Sequence, residues 1–269
     1  MRRLRHASAA AKAGKLTVPR GPLNAPRVPQ GRPVYVQAGS SEDGRGFAAR
    51  WAEAIFTAHQ TLASAQEFYR DIKSRALGLG RRPEHIKVLP GLSPFIAGTE
   101  AEARRLQAEF NDLVQPGYSL QQLRGMLGID FTGHDLDAPF PRHLIAPDNA
   151  RAVASRFQVV LDIVDREKPT LRGLLHRLAG ARGHFVMAGT PEQVADHIET
   201  WFTQGAADGF NIMPPWLPGG FTAFAEEVVP ILRRRDLFRE EYAGATLRDH
   251  YGLPRPKSRF AAASRRLAS

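Results

Sequence analysis

Gly39, Ser40 and Ser41 are the residues of this chain whose types and spacing are best suited to chemistry. A glycine lets the backbone approach a ligand closely. Two adjacent hydroxyls beside the free N–H groups of a helix start form a cradle for phosphate. The elements that must hold this cradle are visible on both sides of it. In Pro33 to Ala38, Val34, Val36 and Ala38 alternate with Tyr35 and Gln37, which is the period of a strand. The spacing after it predicts a helix over about 41–53, with Ser40 as its cap and Asp43 three residues on. A cradle at the carboxyl end of a strand is where α/β folds bind cofactors. Ala38, Gly39, Ser40 and Ser41 are therefore the candidate cofactor-binding residues. Glu42 and Asp43 follow at once, so a bound phosphate requires both carboxylates to be aimed away.

Other constellations carry less. Gly39 to Asp43 and Gly91 to Phe95 both lack the closing glycine of a serine-hydrolase elbow. Neither G-x-G-x-x-G nor a P-loop is present. His134-Asp135-Leu136-Asp137 has oxygen and imidazole ligands close together, but Gly133 and Pro139 mark a loop and no second histidine follows at helical spacing. An exposed turn is the preferred reading, and no metal is expected. His59, just past a strand, lies where barrel loops carry chemistry, either lining a pocket or bonded to backbone. His184 is read as structural. Trp201 and Phe202 are read as core rather than cofactor contacts. Pro214 to Gly220 forms a rigid apolar turn, suited equally to walling a pocket or packing the last helix. No residue is assigned as the catalytic acid or base.

The chain has 269 residues, enough for one large domain or two small ones, and it contains no cysteine. That excludes disulfides, thiolate metal sites and cysteine nucleophiles. No stretch approaches the ~18 apolar residues of a membrane span, and the N-terminus lacks a signal-peptide core, so the cytoplasm is the default expectation. The net charge is +10, but residues 1–34 hold eight Arg and Lys without an acid and residues 252–269 hold five. Setting those thirteen aside leaves the body at −3. A basic nucleic-acid-associated protein is one reading; solvated, disordered tails are the preferred one.

A strand–helix rhythm runs from Pro33. Strands are expected at 33–38, 54–58, 86–96 (broken by Pro90 and Pro94) and 209–213, with helices capped by Thr61 and Thr99. Thr190, Pro191 and Gln193 announce another helix with Val194, Ile198, Trp201 and Phe202 on its apolar face. A final amphipathic helix is expected over 221–235. Residues 115–182 interrupt the rhythm with helical pieces near 119–127, 148–166 and 170–179 around a loop at 128–148, and read as an insertion over the main body. The strand at 184–188 is left open, with the insertion as one home for it. Strands alternating with helices argue a parallel α/β sheet.

The sequence resembles the bacterial luciferase-like flavin-dependent monooxygenases, in their nitrilotriacetate and dibenzothiophene-sulfone monooxygenase branch. The segments that carry the resemblance are 20–27, 29–41 with its Gln-Ala-Gly-Ser-Ser, 179–184, Gly-Thr-Pro-Glu-Gln-Val-Ala-Asp at 189–196, Phe-Asn-Ile-Met-Pro-Pro within 207–220, and 235–242. The resemblance implies the C-terminal half of a TIM (β/α)8 barrel, strands five to eight, with a helical insertion at about 115–182. The barrel part is expected over 33–251, between a basic leader, 1–32, and a basic tail, 252–269. It implies reduced FMN from a separate NAD(P)H-dependent flavin reductase, its phosphate held by Gly39, Ser40 and Ser41. Dioxygen would then oxidise a small organic substrate. It implies a truncated family member, with 33–38 and 209–213 as open edges and a homo-oligomer or a missing N-terminal half as the remedy. An inactive fragment is the alternative. Membrane and nucleic acid are not expected partners.

Overall fold

The computed structural model describes residues 26–145, 154–179 and 183–257. The parts of the leader and tail calls before residue 26 and after residue 257 lie outside them. The chain divides into two compact units, Val34–Leu253 and the paired ends Met1–Pro33 with Pro254–Ser269. In the described part of the end unit, Gly31 N–H donates to Val28 O (2.8 Å) and Arg255 Nε donates to Pro29 O (2.7 Å).

In the larger unit, strand β1 (Val36–Ala38) leads to helix α1 (Glu42–Trp51), β2 (Ala54–Thr57) and α2 (Leu62–Gly78). Then come β3 (Lys87–Ile96), α3 (Glu100–Asp112) and three helices of the insertion: α4 (Pro116–Leu127), α5 (Ala154–Glu167) and α6 (Leu171–Ala179). The rhythm returns with β4 (Phe185–Gly189), α7 (Pro191–Thr203) and β5 (Asn211–Ile212). Helix α8 occupies 219–234 and α9 is the single turn Leu247–His250. Every strand pair is parallel, in the order β1-β2-β3-β4, with β5 also on β3.

β3 organises the sheet. Its residues Val88, Leu92 and Ile96 share one face and are buried under helices. Val88 lies with Ala48 and Ala52 of α1 and Phe68, Ile72 and Ala76 of α2, and Leu92 and Ile96 with Val194 and Ile198 of α7 and Phe224 and Val228 of α8. The opposite face carries Gly91, where an added Cβ would stand 2.4 Å from His184 Nδ1 and 2.9 Å from Met213 Sδ. Only a residue without a side chain lets His184 lie against the strand there.

Several expectations are corrected. Pro90 and Pro94 do not break the strand, which runs unbroken over ten residues. Asp208 N–H donates to Val88 O and Met213 N–H to Leu92 O. The backbone N–H and C=O groups of even-numbered residues of β3 therefore face β5, which is only two residues long, so few bonds are lost to the missing proline N–H groups. The 184–188 segment belongs to the sheet: β4 pairs with Leu92–Ile96 over five residues. β1 begins at Val36, not Pro33, and Tyr35 O just before it accepts from the N–H groups of both Glu53 and Ala54. β5 is shorter than 209–213. α8 is not a uniform helix. Pro230 offers no N–H to the carbonyl four residues back, and the turn Phe224–Val228 widens to a π turn closed by Val229 N–H on Phe224 O. Phe202 is 47% exposed, so it does not share the buried face of Trp201.

The insertion has a core of its own. Leu123, Leu127, Phe131, Phe157, Ile163, Leu171, Leu174 and Leu175 are buried together, separate from the sheet's clusters. Its loop is tied down: Phe140 N–H donates to Pro169 O (2.9 Å) and Arg172 forks onto Asp137 (2.7 and 2.9 Å).

Candidate functional site

Gly39 leaves β1 with φ of 113°, a conformation an L side chain rarely adopts, while its N–H still reaches Phe56 O at 3.3 Å. The chain then turns directly into α1. Ser41, not Ser40, is the N-cap: its Oγ accepts from Gly44 N–H at 3.3 Å. A Cβ on Gly44 would sit 3.0 Å from that oxygen, so a glycine there keeps the cap open. The Ser40 hydroxyl has no hydrogen-bond partner among the described residues, and its carbonyl accepts from Arg45 Nε at 2.9 Å.

The two serines face space. A cavity of about 700 Å³ is lined by Ser40, Ser41, Arg45, His59, Gln60 and Thr61, and by Val159, Asp162 and Arg166 of the insertion. A second cavity of about 120 Å³ lies against Ala38, Gly39, Ser40, Phe56 and His184. Both sit at the carboxyl ends of β1 and β2. The larger falls within the roughly 300–1,000 Å³ of ligand and cofactor pockets.

Ion pairing offsets the charge of Glu42. Arg75 forks onto it at 2.6 and 3.1 Å, and this bond holds its carboxyl below the usual range. Arg75 also binds Asp71 (2.6 Å), and Asp71 binds Arg45 (3.0 Å). Burial would raise Asp71, but the hydrogen bonds from Arg75 and Arg45 outweigh it and hold it ionised. Glu42 still lines the cavity, with Glu67, Asp162 and Asp165, but its charge is paired with Arg75, and Arg45 adds a guanidinium to the same wall.

His59 is 8% exposed and its Nε2 is buried without a partner among the described residues. Burial, with Arg45 and His184 adding to it, pushes its pKa down to about 4. The ring leans on Phe68 (5.0 Å between centroids), and the Arg45 guanidinium lies over that same phenyl ring (5.1 Å). His184 stacks on Phe56 (4.4 Å) with Nδ1 3.1 Å from Thr57 O, a packing role. Trp216 of the proline-rich turn packs on Phe95 (6.0 Å) rather than on the serine rim. Asp137, read from sequence as part of an exposed turn, is held by Arg172.

Arg45, Gln60, Thr61 and the insertion's residues were not singled out from sequence. Arg45 was within reach: it stands four residues after Ser41, one helical turn along the same face. Val159, Asp162 and Arg166 have no local signal, because only the packing of α5 brings them to the serines.

The description of luciferase-like monooxygenases matches residues 1–208. The chain belongs to this family. N-acetyl-S-(2-succino)cysteine monooxygenase of Bacillus subtilis is 49% identical over 243 residues, covering 90% of this chain and 55% of that protein. Nitrilotriacetate monooxygenase component A of Aminobacter aminovorans is also 49% identical, over 90% of this chain and 53% of its own length. Among solved structures, DmoA from Hyphomicrobium sulfonivorans superposes with a TM-score of 0.74 at 29% identity, over 87% of this chain and 48% of that one. The luciferase-like chain thus spans about half the length of the relatives it matches, and it falls in their nitrilotriacetate monooxygenase branch.

Proposed function

We propose that this chain contributes the cofactor-phosphate corner of an FMN-dependent monooxygenase. In this reading the five parallel strands are the C-terminal part of a (β/α)8 barrel, and Ala38, Gly39, Ser40 and Ser41 hold the FMN phosphate. Reduced FMN from a separate flavin reductase would supply the electrons with which dioxygen oxidises a small organic substrate. The residues present suit a phosphate. Gly39 adopts a backbone open to close approach, Ser40 has an uncommitted hydroxyl, α1 presents its N-terminus, and Arg45 supplies a cation. The observation that carries the reading is that both serines line a cavity at the carboxyl end of the sheet. A neutral, buried His59 would add a dry wall to it and help exclude water.

The test is titration of FMN into the purified chain, read by flavin fluorescence, against the double variant Ser40→Ala/Ser41→Ala. Affinity is expected to fall by roughly 10-fold or more, since hydrogen bonds to a charged group are lost. A thermal melt of the same variant separates this from the lost helix cap, worth about 1 kcal/mol. Equal affinity for the two proteins rejects the assignment.

A further inference from the structure

A third cavity, of about 270 Å³, lies where α3, α6, β3 and β4 meet. Phe95 and Val186 supply its apolar surface, and Phe95 is fixed by Phe110 (5.6 Å) and Trp216 (6.0 Å). The polar wall is made of Gln107 and Asn111 of α3 and of His176 and Arg177 of α6.

Arg177 is under-used. Its guanidinium reaches Glu167 Oε1 at 3.3 Å, Val186 O at 3.4 Å and Gln60 Oε1 at 3.5 Å, all at the long end of hydrogen bonding. Glu167 is shared with Arg166, which holds it closer, at 2.6 Å. Two guanidiniums therefore divide one carboxylate, and the charge facing the cavity is only partly compensated. Gln60, the third of these partners, lines the 700 Å³ cavity, so this contact links a residue of one cavity wall to a residue of the other.

We propose that this cavity binds the carboxylate of a small organic acid. Arg177 would fork onto the two oxygens, as guanidinium geometry favours. The amides of Gln107 and Asn111 and the ring of His176 would complete the oxygen contacts, and Phe95 and Val186 would take the hydrocarbon part. The assignment of that acid as the substrate rests on the monooxygenase reading; the binding itself rests on the cavity.

Calorimetric titration of the full chain with succinate tests it, with neutral succinamide and inorganic phosphate as comparators. Succinate is expected to bind saturably, and succinamide and phosphate roughly 10-fold more weakly or less. Arg177→Gln is expected to weaken succinate by roughly 10- to 100-fold, and Arg177→Lys by less, because an ammonium cannot fork. Asn111→Leu, on the opposite wall, guards against a misfolded Arg177 variant; it is expected to weaken succinate several-fold and leave FMN affinity unchanged. Absence of saturable succinate binding, phosphate binding as tight as succinate, or unaltered affinity in Asn111→Leu and a folded Arg177→Gln overturns the proposal. Failed succinate binding with FMN binding intact rejects this site alone. Succinate binding without FMN binding upholds the site and rejects the cofactor reading.

Discussion

The two ends of the parallel sheet are built on opposite terms. At the amino end, charged groups are buried or half-buried and paired with one another. Arg248, 1% exposed, forks onto Glu53 at 2.7 and 2.9 Å, and Glu53 also accepts from Tyr35 N–H at 3.1 Å. Nearby, Asp208 collects Lys73 Nζ (2.8 Å), Tyr69 OH (3.0 Å) and Val88 N–H (2.8 Å). Burial pulls Lys73 down and pushes Tyr69 up, with Asp208 adding to the rise of Tyr69. At the carboxyl end, the same strands stop at a glycine in a left-handed conformation, an uncommitted serine hydroxyl and a buried imidazole nitrogen without a partner among the described residues. Paired charges hold a sheet together; polar groups left without a partner beside a cavity are available to a ligand.

The largest effect should come from the amino end. Glu53→Ala leaves Arg248 buried without its carboxylate, and a loss of about 3–5 kcal/mol is expected in chemical denaturation. If FMN affinity falls in the still-folded fraction as well, the two ends are coupled and the contrast weakens. The next test uses pH. The His59 pKa of about 4 lies below its unfolded value of 6.5, so protonation favours the unfolded state. Stability is complete above pH 6.5 and declines as pH falls from there toward 4. The loss is about 3 kcal/mol. His59→Gln should flatten that limb of the pH–stability curve, and an unchanged limb would show that His59 charges freely.

Smaller effects sharpen the contrast. Gly39→Ala forces a side chain into a φ of 113° and should cost about 1–3 kcal/mol in a thermal melt. It should also distort the serine turn and lower FMN affinity more than a matched change within β1. Arg75→Ala removes the partner of Glu42 and one of the two arginines on Asp71, at a partly exposed site. It should change stability by less than about 1 kcal/mol. The loss of its ion pair should nonetheless make Glu42 weaken FMN several-fold, because an unpaired carboxylate would then line the cavity beside Ser41.

What could be read from sequence followed the range of the forces involved. Capping boxes at Thr99 and Thr190 are spelled within four residues, and both form. The insertion helices were legible for a related reason: their apolar residues pack mainly on one another. The serine rim was legible because strand, turn and helix are consecutive. The choice of Ser41 over Ser40 as cap was not, since both satisfy the composition rule and only the backbone at Gly39 and Gly44 decides between them.

The strand at 185–189 shows the opposite limit. Its sequence suits an insertion or a sheet equally, and its partner, Leu92–Ile96, lies some ninety residues earlier. The pairs Glu53–Arg248 and Lys73–Asp208 span 195 and 135 residues, and nothing local marks either. Order along the chain thus dictated the caps, the alternation of strands and helices, and the hydroxyls at the end of β1. Which distant groups meet those hydroxyls was settled by folding, because a side chain's charge and burial depend on neighbours that proximity in sequence does not name.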